Sequence, residues 1–345
     1  MLAAVLTAPN ELEAQEIPTP SPGPGELLVK VGANTVCGTD LRILRGEKTS
    51  HVELPVVLGH ETAGHVAEVG AGVNGFEVGA PVAIAPCIPC HRCWECRHDL
   101  ENMCQNLRIM GYAVGGGMAE YMLVPAAAVE ARCVFVAHED LPSEKLALAE
   151  PLACVVCGQR WTRVEVDDTV LIMGAGPIGL LHLQLALVSG ARAVIVSQPT
   201  AERRAIAERL GATATVDPQS GDLAAVVDEV TDGLGVDVTI IAIGIPQLVN
   251  EAAQLCRNGG RINVFAGLKG KGLAEVEANL IHYRQIVLSG TSNSRRSDYE
   301  TALHLIESGK IDTASMVTHR FPLPSVHEAL DTVTAGEAIK VAVMP

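Results

Sequence analysis

From Thr169 to Gly290 the chain alternates two patterns. Short apolar runs of strand length, "TVLIM", "AVIVS", "ATATV", "VDVTIIAI", "RINVFAG" and "IVLSG", are separated by stretches such as "PTAERRAIAERLG" and "PQLVNEAAQLCRNGG", where apolar positions recur at helical spacing. The alternation predicts six parallel strands joined by crossover helices, an α/β doubly wound parallel sheet over residues 153–290. Residues 1–152 read differently. Runs such as "LLVKV", "HVAEVG" and "APVAIAP" lie between Gly- and Pro-rich clusters, the mark of an irregular β domain with few helices. Residues 291–345 hold one helical stretch, "SDYETALHLIESGK", and then a strand–helix–strand pattern that is expected to return to the first domain.

The first apolar strand of the sheet region ends in "GAGPIG", which sets Gly174, Gly176 and Gly179 at the mouth of a helix. Gly174 permits a tight turn, Gly176 lets the backbone approach a pyrophosphate, and Gly179 lets helix and strand lie close. Pro177 occupies the first helical turn, where a missing N–H costs nothing, and Ile178 follows it within the loop that faces the cofactor. Strand, glycines, helix and a second strand together predict dinucleotide binding. At the end of that second strand, where an acidic residue would hold a ribose 2′-hydroxyl, stands Gln198. An amide can bond the hydroxyl without repelling a 2′-phosphate, so NAD and NADP both stay open, with a lean to NAD because no basic residue directly follows. Arg203 reads as a group that stacks on adenine, Arg204 as a solvated helix face.

Composition narrows the partners. The chain has 345 residues, 48% of them hydrophobic, 19% charged and 3% aromatic, so it is long enough for two cores filled mainly by aliphatic residues. A net charge of −15 argues against nucleic acid or an anionic membrane as partner, since either requires a basic face. The start lacks a basic region ahead of its apolar residues, and "LLHLQLALVSG" is too short to span a bilayer. The expectation is a cytoplasmic protein acting on a small molecule.

Chemistry concentrates at two constellations. Ala85–Cys104 holds five of the ten cysteines, and Cys90, Cys93, Cys96 and Cys104 are spaced C-x2-C-x2-C-x7-C, which a loop can wrap around one tetrahedral Zn²⁺. Four thiolates leave no position for substrate, so this site reads as structural. Disulfides, a redox pair, or a shifted quartet including Cys87 are the alternatives. The second constellation is sparse: Cys37 in "NTVCGTDLRI", His60 and Glu61 in "VLGHETAGHV", and Glu150 in "LALAEPLACVV". A thiolate, an imidazole and one or two carboxylates would leave a zinc position open for water or substrate. Asp40 reads as an acceptor for the His60 ring N–H, His51 as a solvent-facing loop residue. Arg295 and Arg296 read either as holding substrate hydroxyls or as forming a salt bridge.

The motifs "CGTD", "GHETAGHVAEVG", C-x2-C-x2-C-x7-C, "EPLAC" and "GAGPIG" occur in this order from end to end of the chain. In this the chain resembles the zinc-dependent medium-chain dehydrogenase/reductase superfamily. Glu150 in "EPLAC", where alcohol dehydrogenases proper carry a cysteine, together with "YRQIVLSGT" and "IDTASMVTHRFPL", resembles the sorbitol (polyol) dehydrogenase branch. The resemblance implies one catalytic zinc at Cys37, His60, Glu61 and Glu150, with the choice between the two carboxylates open, and one structural zinc at Cys90, Cys93, Cys96 and Cys104. It implies Thr39 as the hydroxyl that relays the alcohol proton. It implies a GroES-like domain built from residues 1–152 and 291–345 flanking a Rossmann domain, an active site in the cleft between them, and a homo-tetramer or homo-dimer. The activity implied is hydride transfer from a secondary hydroxyl of a polyol, cyclitol or sugar alcohol to NAD(P)⁺. Threonine or another secondary alcohol is the alternative within the family, and a non-catalytic nucleotide-binding zinc protein the alternative outside it.

Overall fold

The computed structural model describes residues 1–139, 141–268, 270 and 272–345, and these divide into two compact units. The first comprises Met1–Cys154 and Asn293–Pro345, the second Val155–Ser292. The junctions thus fall two residues after those read from the sequence, the first of them inside the Ala149–Thr162 helix.

Unit 1 begins with strands β1 (Leu2–Ala8), β2 (Glu11–Glu16), β3 (Leu27–Thr35), β4 (Val56–Val57), β5 (Glu61–Val69) and β6 (Pro81–Ile84). It continues with β7 (Cys87–Ile88), β8 (Arg108–Ile109), β9 (Tyr121–Val124) and β10 (Val134–Val136). Helices here are short, as the Gly/Pro punctuation of the sequence dictates. Gly38–Leu44 makes two turns, and Cys96–His98 and Glu101–Met103 make one 3₁₀ turn each.

Unit 2 is the α/β body. Its strands are β11 (Thr169–Met173), β12 (Ala193–Ser197), β13 (Ala214–Val216), β14 (Val236–Ile241), β15 (Cys256–Val264) and β16 (Val287–Gly290). They form one parallel sheet in the order β13-β12-β11-β14-β15-β16, the doubly wound arrangement that puts its topological switch beside β11. β11 and β12 are buried along their whole length, as unbroken apolar runs require in a sheet covered on both faces. One expectation is corrected. "CRNGG" reads as the end of a helix, but the helix stops at Leu255, and Cys256 already pairs with Val236 at the start of β15.

The chain then returns to unit 1 through the Arg296–Glu307 helix, β17 (Val317–Pro322), the Val326–Ala335 helix and β18 (Lys340–Met344). β18 pairs antiparallel with β3 and parallel with β17, which closes a seven-stranded sheet in the order β10-β6-β5-β3-β18-β17, with β9 also on β3. β5, β3 and β18 are therefore neighbours, although their residues lie far apart in the chain. Among the described residues no helix is long and apolar enough to cross a membrane.

Candidate active site

The end of β3 and the start of β5 build the centre of unit 1. Cys37 caps the Gly38–Leu44 helix with an extended backbone, and its N–H donates to Asp40 Oδ2 at 2.9 Å, the side chain three residues on closing the helix start. His60 directly precedes β5, and Glu61 is that strand's first residue, opposite Thr35 of β3. The ligand atoms of Cys37, His60 and Glu61 all lie within 4.8 Å of one another. His60 and Glu61 are buried, and so is Asp40, whose Oδ1 lies 3.0 Å from His60 Nδ1. With Nδ1 donating to that carboxylate, the Nε2 lone pair is left to bind a cation. The Tyr112 ring meets the imidazole edge-on at 5.3 Å and fixes its tilt. Thr39 Oγ1 lies 3.6 Å from Cys37 Sγ.

The two carboxylates differ in their company. Lys340 Nζ donates to Glu61 Oε1 at 2.7 Å and approaches Oε2 at 2.6 Å, and the Thr35 hydroxyl also donates to Oε2. Glu150, in the first turn of the Ala149–Thr162 helix, stands outside the 4.8 Å set and accepts from the Cys154 thiol at 3.7 Å. Burial pushes its carboxyl up to about 7, with the neighbouring Glu61 adding to the rise. Thiolate, imidazole and carboxylate within this span are a donor set that fits Zn²⁺.

The Cys-rich lobe forms a second cluster. The sulfurs of Cys90, Cys93, Cys96 and Cys104 lie within 4.8 Å of one another, with Cys93 3.3 Å from Cys96 and 3.7 Å from Cys104. A tetrahedral zinc thiolate site has sulfur–sulfur edges of about 3.8 Å. Backbone N–H of Arg92 and the Asn106 amide draw the Cys90 thiol down to about 5, whereas burial lifts Cys96 to about 12. So close a set of sulfurs can be fully ionised only around a cation, which is the chemistry expected of a closed metal site. Cys87 stays outside it, its carbonyl accepting from the Cys133 thiol at 3.3 Å.

In unit 2 the glycine loop joins β11 to the Pro177–Val188 helix. Gly174 has φ +103°, a conformation that side chains rarely adopt. A Cβ on Gly179 would come within 1.8 Å of the Gly174 carbonyl oxygen, so only glycine allows the helix this close. Around Gly176, the helix N-cap, a Cβ would meet nothing within 4 Å, so the backbone faces open space where a phosphate can approach. Pro177 and Ile178 follow, half-buried. Gln198 is buried at the end of β12, Arg203 half-buried in the next helix. Arg204 is not a solvated face: its Nη1 donates to the Gln198 and Pro199 carbonyls, at 2.7 Å each.

Other sequence candidates are not among the clustered ligand residues. His51 is exposed. Arg295 pairs with buried Asp298, and Arg296 pairs with Glu101 at 2.6 Å and donates to the Ala131 carbonyl at 2.8 Å. These two arginines therefore serve ion pairs. Sequence reasoning missed Lys340, Thr35 and Tyr112. The one available signal was a lone lysine opening the apolar run "KVAVM".

Comparison with known proteins shows the family. Residues 23–132 match the alcohol dehydrogenase GroES-like domain family, and residues 177–308 match the zinc-binding dehydrogenase family. L-threonine 3-dehydrogenase of Pyrococcus horikoshii is 35% identical over 349 residues, covering 100% of this chain and 98% of the relative. D-arabitol-phosphate dehydrogenase of Enterococcus avium is 34% identical, covering 95% of this chain and 92% of the relative. Among solved structures, one described as a zinc-binding dehydrogenase from Sinorhizobium meliloti, bound to NADP, has a TM-score of 0.92 and 36% identity, over 100% of this chain and 99% of its own.

Proposed function

Because the chain belongs to the zinc-binding alcohol dehydrogenase family of medium-chain dehydrogenases, we propose that it oxidises a secondary hydroxyl of a polyol, cyclitol or sugar alcohol to the ketone, reversibly, with NAD⁺ or NADP⁺. The observation that carries the reading is the convergence of half-buried Cys37 with buried His60 and Glu61 from a second segment, with Glu150 in electrostatic reach. Cys37, His60 and one carboxylate would hold a zinc ion that lowers the acidity barrier of the substrate hydroxyl, while the nicotinamide accepts the hydride.

The chain's own residues do the rest. Asp40 fixes the His60 tautomer through Nδ1. Thr39 Oγ1, beside the Cys37 sulfur, takes the hydroxyl proton and passes it outward, so the alcohol loses one hydride and one proton in all. Carboxylate in place of a second thiolate hardens the site, which supports a substrate offering several oxygens. Gly174, Gly176 and Gly179 let the pyrophosphate approach the start of the Pro177–Val188 helix. Cys90, Cys93, Cys96 and Cys104 would hold a second zinc; four thiolates would leave it no open position, so its role would be to stiffen the lobe.

A second reading within the same chemistry, oxidation of the secondary hydroxyl of threonine, is supported by the Pyrococcus relative. A panel of polyols, cyclitols, simple secondary alcohols and threonine, followed by reduced-nicotinamide absorbance with NAD⁺ and NADP⁺ side by side, tests both. Turnover of a polyol in preference to threonine is expected, and Glu150→Ala should lose activity with the fold retained. Inactivity across the whole panel with both cofactors would overturn the proposal.

A further inference from the structure

The four sulfurs of the Cys-rich lobe reach their cluster by unequal routes. Cys90, Cys93 and Cys96 follow one another with two residues between each, so a single winding loop presents all three. Seven residues separate Cys104 from Cys96, and the Glu101–Met103 turn delivers it, the Cys104 N–H donating to the Glu101 carbonyl at 3.2 Å. Two sets of ties hold that turn. Downstream of it, Gln105 Nε2 donates to Glu95 Oε1 at 2.9 Å and Asn106 Nδ2 to Cys90 Sγ at 3.5 Å, both inside the lobe. The other ties leave the lobe: Asn293 Nδ2 donates to the Asn102 carbonyl at 3.2 Å, and Arg296 grips Glu101.

The grip is dense. The Arg296 backbone N–H donates to Glu101 Oε1 at 2.8 Å, Nε to both carboxylate oxygens at 3.1 Å and Nη2 to Oε2 at 2.6 Å, while Nη1 donates to the Ala131 carbonyl at 2.8 Å. Such a fork fixes direction as well as distance, and the Glu101 side chain is only 14% exposed, so water competes poorly for it. Its place in the chain gives it a use. Unit 2 ends at Ser292, and Asn293 is the first residue back in unit 1. Within four residues of that crossing, the returning chain is fastened to the turn that carries Cys104.

We propose that the Glu101–Arg296 clamp links the lobe's metal to this crossover: Arg296 is a positioning residue that sets Cys104 for the ion, and the ion, by ordering the Glu101–Met103 turn, keeps residues 293–296 fastened. The proposal rests on the reading that the four cysteines bind a metal. The link is reciprocal, because a coupling free energy between two events acts equally on both. Breaking the clamp loosens the metal, and removing the metal loosens the crossover.

The test uses full-length protein and reads each direction separately. Transfer of zinc to a chromophoric chelator should include a phase that Cys96→Ser abolishes, and Glu101→Gln should speed that phase about tenfold or more while leaving the rest unchanged. Arg296→Lys, which keeps the charge but not the fork, should speed it by less. In the other direction, amide hydrogen exchange of residues 293–300, measured against β3 in the same protein, should rise about tenfold or more in Cys96→Ser and stay as wild type in Cys37→Ser. Adding Glu101→Gln to Cys96→Ser should raise it by no more than about twofold again, because clamp and metal act along one path. Should Cys96→Ser fail to fold, Cys37→Ser protein stripped of its remaining zinc and then reloaded gives the same comparison. Unchanged zinc release in Glu101→Gln overturns the proposal. So does a crossover whose exchange ignores the lobe's metal, or one in which the two substitutions simply add, the mark of a clamp that only staples the fold. A Cys96→Ser protein that holds as much zinc as wild type would instead sink the metal reading of the four cysteines, and this inference with it.

Discussion

Thr39, Gln198 and His182 each carry one small group whose environment defines a measurable role. The Thr39 hydroxyl, 3.6 Å from Cys37 Sγ, is the proton carrier of the proposed reaction, so Thr39→Val should lower kcat about 100-fold while zinc content stays unchanged. Gln198, buried just after β12, would leave the ribose end of the proposed nucleotide site without a carboxylate. Gln198→Asp should therefore shift the ratio of kcat/KM for NAD⁺ over NADP⁺ upward by at least about tenfold, by repelling the 2′-phosphate. His182 is fully buried in unit 2, with Gln159 Nε2 3.3 Å from its Nδ1 and the Phe265 ring edge-on at 4.6 Å. Burial pushes its imidazole down to about 3 from an ordinary 6.5, so the unfolded chain binds this proton first. Stability from this residue is complete above pH 6.5 and is lost as pH falls toward 3, with a slope of up to about 1.4 kcal/mol per pH unit. Urea unfolding across that range should show a flatter acid limb in His182→Leu.

At the scale of elements, the β11 strand and the Pro177–Val188 helix are joined by a contact with no spare room. Gly179→Ala puts a methyl into the Gly174 carbonyl, and it should cost about 1–3 kcal/mol in urea unfolding and weaken nicotinamide cofactor binding in the same variant. This element pair was legible in the sequence because both its strand and its turn are local signals. The start of β15 was not. Gly259, at φ +72°, follows a helix as an ordinary helix-ending glycine would, and only pairing of Cys256 with Val236, with a register shift after it, draws the segment into the sheet. The Cys-rich lobe lies between these cases. Its cysteine spacing announces a metal site, but the clamp that holds it, Arg296 on Glu101 and Asn293 Nδ2 donating to the Asn102 carbonyl, joins residues on either side of unit 2 in the chain.

Over the whole molecule, the two clusters should be separable by metal count. Wild-type protein is expected to hold two zinc ions per chain by elemental analysis, and Cys37→Ser and Cys96→Ser one each. The first should be inactive with an unchanged melting temperature, while the second should melt about 5 °C lower or more. A stable but inactive Cys96→Ser protein would reverse the assignment of the two sites. The sequence by itself determined the α/β class, the six strands of unit 2, the glycine loop and the four-sulfur quartet, because each is written in neighbouring residues whose spacing has one economical geometry. It also supplied Cys37, His60, Glu61 and Glu150 as chemical types. Only the tertiary structure decided how the carboxylates differ, since Lys340 reaches Glu61 across 279 residues of chain and strand pairing, not local sequence, brings them together. A buried charge has no sequence period of its own; its partner is fixed by which strands lie side by side.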